Sequence, residues 1–138
     1  MSREALIATV KGIVALARAG NFDEAYQGYA NLFGSPEFVA NKPEDQRQTL
    51  RLMIHAKGTP PHPTPAMLQA FRSAVAPLTE LVSVHGEPGD HEMLGLCHIQ
   101  LGNPDSADKI FRAGLTLERE HNPQSDLCGT LMKRIAAL

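Results

Sequence analysis

The chain has 138 residues, 43% of them hydrophobic and 20% charged, with a formal net charge of −2. That is the length of one domain with the balance of a packed globule, which excludes a disordered chain. No basic surplus exists to neutralise phosphates, which sets nucleic acid aside as a partner.

The opening stretch, MSREALIATVKGIVALARAG, is apolar in steps, broken by Arg3, Glu4, Lys11 and Arg18. It reads as a helix and not as a signal peptide. No run approaches the roughly 18 apolar residues of a membrane span. A soluble, cytoplasmic protein with no membrane partner is expected. Ser2 stands where a helix cap belongs, and Leu6, Val10, Ile13, Val14 and Ala17 recur at helical steps. Gly20-Asn21 then punctuates the chain. The next segment, FDEAYQGYANLF, places Phe22, Ala25, Tyr29 and Leu32 on one stripe. It is expected to end at Gly34-Ser35-Pro36, because proline lacks a donor and clashes with the preceding turn.

A third helix is predicted over Pro43 to Lys57, with proline in its first turn and Glu44 and Asp45 at its positive end. Gly58 closes it. The prolines of Thr59 to Pro65 forbid continuous helix there. Thr64 is placed to cap a long helix reaching about His85, with Pro77 inside it. That proline removes the donor the Ser73 carbonyl would meet, and is expected to kink or split the helix. After the turn GEPGD, Asp90 to Leu101 is helical, Gly102-Asn103 breaks it, and Pro104 starts a helix to about His121. Ser125 or Asp126 caps a last helix through Ala137. The sequence thus predicts seven helices, no strand, and antiparallel neighbours joined by short loops.

Two of these segments share a pattern. Gly20-Asn21 precedes Ala25 and Tyr29, and Gly102-Asn103 precedes Ala107 and Phe111. A repeated helix–turn–helix unit is the main structural expectation. Leu94-Gly95, His98, Gly102, Ala107, Phe111 and Gly114 follow, in order, a pattern that resembles the tetratricopeptide repeat family. His98 stands where that family has an aromatic residue, and Gly114 where it has alanine. Ile13, Leu16, Gly20, Ala25, Tyr29 and Leu32 form a second match, without the leucine–glycine pair, whose places Gly12-Ile13 occupy. A middle unit turns at Gly58. The turn glycines are 38 and 44 residues apart, against about 34 in a regular array.

The resemblance implies an all-α fold of antiparallel helix pairs stacked as a short right-handed solenoid. It would form one domain over 1–138, with units near 3–34, 43–85 and 88–121 and a capping helix over 125–137. It places small residues at Gly95 and Ala107 for close helix approach, with Tyr29 and Phe111 filling the space between pairs. It also implies a concave groove. Carried across, the groove positions are Val10, Val14 and Arg18, then Gln48, Leu52 and His55, then Glu92, Leu96 and Ile99. A subclass of the family clamps a carboxylate terminus with lysine, asparagine and arginine. Here those places hold valine, leucine, glutamine and glutamate, so the expected ligand is a helix or extended apolar segment of another protein. The same surface could instead join two copies in a homodimer.

Site chemistry gives no competing reading of equal weight. The six histidines are at 55, 62, 85, 91, 98 and 121. His91 and His98 share a helical face but lie roughly 10 Å apart by the helical rise, too far for one metal ion. Cys97 and Cys128 have no CxxC spacing and read as buried thiols. No nucleophile motif or glycine-rich phosphate loop is present, and Glu118, Arg119 and Glu120 read as a solvated face. No enzyme activity, cofactor or metal is expected. An enzyme with a helical pocket is the third class, behind the partner-binder and the self-associating module.

Overall fold

A computed structural model of the protein describes residues 1–58 and 60–138. Among these residues the fold is all-α, with eight helices and no strand. In chain order they are α1 (Arg3–Arg18), α2 (Phe22–Phe33), α3 (Pro36–Val39), α4 (Pro43–Ile54), α5 (Pro65–His85), α6 (Pro88–Gln100), α7 (Pro104–His121) and α8 (Asp126–Ala136). The chain forms two compact units, Met1–Pro77 and Leu78–Leu138, whose boundary falls inside α5.

The count corrects the sequence reading by one helix. Pro36 does not merely stop α2. It opens α3 at the first helical position, where a missing N–H costs nothing, and the Ser35 hydroxyl accepts from the Phe38 amide at 3.3 Å. The third predicted helix is shorter than expected, because α4 ends at Ile54 with His55 as its C-cap. Pro77 is buried inside α5, which runs unsplit from Pro65 to His85. Thr59, the first residue of the proline-rich stretch, lies outside the described residues. Pro60 to Thr64 carry no helix, and Thr64 caps α5 by accepting from the Met67 amide at 3.2 Å.

In the first unit, α1 packs on α2 and α2 on α3. Three aromatic rings tie α2 to α3. Tyr29 stacks on Phe33 at 5.6 Å, and Phe33 meets Phe38 edge-on at 5.1 Å, each pair adding about 0.5–1.5 kcal/mol beyond its buried area. The loop after α3 is held by side-chain amides. Gln46 Nε2 donates to the carbonyls of Asn41 at 2.8 Å and Val39 at 3.2 Å, and Asn41 Nδ2 donates to the Met1 carbonyl at 2.9 Å. The Thr64 hydroxyl donates to Asp23 Oδ1 at 2.8 Å, joining the cap of α5 to the first turn of α2.

In the second unit, α6 packs on α7 and α8, and α7 on α8. A continuous run of α6, Asp90 to Gly95, is buried, as befits a helix covered on most sides. Phe111, Ala107, Leu115, Cys128 and Leu131 form the core, with Leu96, Leu127 and Ile135 against it. Glu118 belongs to the interior of this unit, being only 9% exposed. The expected solvated face over Glu118–Glu120 is therefore wrong at Glu118. It lies three residues after Leu115 and four after Gly114, on the helical face that those two bury.

The two hairpins, α1–α2 and α6–α7, turn in the same way. Gly20 and Gly102 have φ of 84° and 79°, a conformation that only glycine adopts without strain. Gly20 N–H donates to the Ala17 carbonyl and Asn21 N–H to Leu16. Gly102 N–H donates to Ile99 and Asn103 N–H to His98. These are paired bonds of one and the same helix-ending motif, which satisfies the last carbonyls of the helix. The next helix then begins alike, with Ala25 N–H bonded to the Asn21 carbonyl and Ala107 N–H to Asn103, both at 3.1 Å.

Candidate interaction surface

Two recesses in the first unit share a floor. One, of about 200 Å³, is lined by Arg3, Leu6, Ile7 and Val10 of α1 and by Gln48 and Leu52 of α4, among others. The other, of about 770 Å³, is lined by Val10, Lys11, Val14, Arg18 and Leu52. Val10, Lys11 and Leu52 belong to both, so the two form one groove along α1. Arg3 and Ala19, the extreme lining residues, are 16 positions apart, which spans about 24 Å at the helical rise.

The walls of this groove keep large apolar side chains in water. Leu52 is 49% exposed on α4 and Ile7 is 42% exposed on α1. At the α1 N-terminal end, Arg3 pairs with Asp45 at 3.4 Å. Lys11 and Arg18, both exposed on α1, make no ion pair among the described residues.

The nine positions carried over from the repeat resemblance divide between the units. Val10, Val14, Arg18, Gln48 and Leu52 are brought together in the first-unit groove. His55 is exposed at the end of α4 and lines neither recess. In the second unit, Glu92 is 8% exposed and pairs with Arg134 at 3.4 Å. Leu96 is half-buried against the α7–α8 core. Ile99 is exposed, and lines a recess of about 510 Å³ with Lys133, Arg134 and Leu138.

Sequence reasoning missed Ile7, Lys11 and Asp45 as groove residues. Ile7 lies three positions before Val10 and four before Lys11, the helical spacing of one face. Its neighbour Leu6 is the core residue of that turn.

His91, His98 and the two thiols are held by packing. His91 Nδ1 donates to the Glu87 carbonyl at 2.8 Å within α6, and a Cβ built at Gly114 would lie 2.7 Å from His91 Cβ. His98 Nδ1 is buried with no hydrogen-bond partner, and desolvation lowers its pKa below the ordinary 6.5. Burial pushes the Cys97 thiol up to about 12, and Cys128 Sγ donates to the Asn122 carbonyl at 3.4 Å. Among the described residues no three His, Cys, Asp or Glu side chains converge, and no helix is long and apolar enough to cross a membrane.

Comparison of the chain with known protein families, with curated proteins and with solved structures finds no match.

Proposed function

We propose that the protein is a non-enzymatic interaction module of the cytoplasm, built on divergent repeats of tetratricopeptide type. Its groove along α1 and α4 binds a helix or peptide of a partner protein. One observation carries this reading: Leu52 and Ile7 stand 49% and 42% exposed on the two walls of one recess. Large apolar groups gathered in a concavity gain on the order of 25 cal/mol per Å² when a partner removes them from water. The matched turns at Gly20 and Gly102 support the repeat reading.

The test is a change of charge at the groove centre. Leu52→Glu places a carboxylate where an apolar partner would have to desolvate it. The variant should fold, because Leu52 is half in water already, and should lose partners captured by the wild type from a lysate. Lys109→Glu, on exposed α7 surface, should keep them. Equal capture by both variants would remove the groove assignment. Light scattering over a dilution series separates the alternative, in which a second copy occupies the groove: a dimer that Leu52→Glu dissociates would establish self-association in place of a foreign partner.

A further inference from the structure

Proceeding from that groove reading, we propose that its occupant is an amphipathic helix of a partner protein carrying two acidic residues about two turns apart beside its apolar stripe. The groove is rimmed by positive charge of one spacing. Arg3 is neutralised by Asp45. Lys11 and Arg18 line the groove and make no ion pair among the described residues, the one acidic residue of the lining, Asp45, being held by Arg3. They stand seven residues apart on one α1 face, about 10.5 Å along the axis, with Val14 between them on the groove floor. A bound helix presents side chains at the same seven-residue interval. Its acidic residues at i and i+7 would meet Lys11 and Arg18 together, while its apolar stripe covers Val10, Val14 and Leu52. The groove length of about 24 Å matches a helix of about 16 residues.

A second copy of this chain fits less well. The exposed apolar recess of the second unit, at Ile99 and Leu138, also has a cation at its rim, Lys133, beside Arg134, which pairs with Glu92. Like charges would face each other across such a contact, which disfavours it. A flat anionic membrane fits less well too. The apolar side chains sit in a concavity whose facing wall is α4, and Asp45 lines the same groove.

The probe is a synthetic helix of about 16 residues with a leucine stripe and two glutamates seven apart on its flank. Two sister peptides carry glutamine or lysine at those places. Binding is read by anisotropy and by backbone amide shifts of the whole protein. The glutamate peptide should bind, shift the amides of Val10, Val14 and Leu52, and weaken as salt is raised. The glutamine peptide should bind on the order of ten-fold more weakly. The double variant Lys11→Glu/Arg18→Glu should prefer the lysine peptide, and Lys11→Gln/Arg18→Gln should erase the difference between the glutamate and glutamine peptides. If the glutamate and glutamine peptides shift the groove amides with equal affinity, the acidic occupant is wrong while the groove reading stands. If no peptide shifts those amides, both fail. If phosphatidylserine vesicles shift them and no peptide does, the face is a lipid-binding surface and the helix proposal is overturned.

Discussion

Gly95 on α6 lies directly against the ring of Phe111 on α7, so close that a Cβ built on the glycine would overlap the Cδ1–Cε1–Cζ edge of that ring. The α1–α2 hairpin makes its equivalent contact with the sizes exchanged. There the large residue, Ile13, is on the first helix, and the glycine, Gly28, is on the second, with a built Cβ 2.8 Å from Ile13 Cγ1. Both hairpins obtain close helix approach by setting a side chain against bare backbone, supplied by Gly28 of α2 in the first and by both helices in the second, where Gly114 of α7 also meets His91 of α6.

The first prediction follows from that contact. Gly95→Ala should destabilise the protein by about 1–3 kcal/mol, as overpacked cores do. Phe111→Ala should cost about 3–5 kcal/mol, because the ring is fully buried. Urea melts of the pair Gly95→Ala and Phe111→Leu, singly and together, should show the double variant more stable than the sum of the singles implies. Strict additivity would mean that the two residues do not share the space.

The turn glycines give the second. Gly20→Ala and Gly102→Ala each force a side chain into the left-handed region, at a cost of roughly 1–2 kcal/mol. Because the φ angles and hydrogen bonds of the two turns match, the two losses should agree within experimental error. Thermal melts of both variants check it.

A third concerns pH. The folded-state pKa of His98 lies below its ordinary 6.5 through desolvation. The unfolded chain therefore takes up this proton first as pH falls. Its contribution to stability is complete above pH 6.5 and declines as pH drops through 6.5 toward the folded-state value. Urea midpoints measured from about pH 8 to about pH 5 should fall for the wild type, and should fall less for His98→Gln.

The thiols give the fourth. Cys97 is held protonated, with its pKa up to about 12, and both cysteines are buried. Cys97 lacks the reactive thiolate form and Cys128 is shielded by burial, so neither should react with a disulfide reagent in the native protein at neutral pH. Labelling should instead track unfolding across a urea series. Rapid native labelling of Cys97 would show that α6 is open where the fold has it closed.

The sequence exposed the helices more fully than the surface. Local chemistry marks helix ends, and so Ser2 and Thr64 are legible as caps and Pro104 as a first helical residue, while of the two candidates Ser125 and Asp126 the structure has Ser125 as the cap. Helix α3 escaped because Pro36 carries two opposite signals, stopping one helix or opening another, and only the Ser35 cap decides between them. Which apolar residues stay in water was harder to read. Leu6 and Ile7 are neighbours of similar hydrophobicity, yet one is core and the other groove wall, and only the partner helix of each face distinguishes them. Glu118 shows the converse: three ionisable residues in a row read as solvated, although a helix turns about 100° per residue and carried one of them inward.

The paired turns also bear on how fast the chain can organise. Each closes its hairpin through bonds spanning only three to five residues, Gly20 to Ala17 and Asn21 to Leu16 in one, Gly102 to Ile99 and Asn103 to His98 in the other. Contacts so near in sequence demand little loop closure before they form. Helical hairpins of this kind belong to the class of local topologies that fold in microseconds to milliseconds. A helix exchanged between α1–α2 and α6–α7 would keep the same turn and lose only its matched knob and hollow, so the speed of hairpin formation and the fit of its interior are separable properties of this molecule.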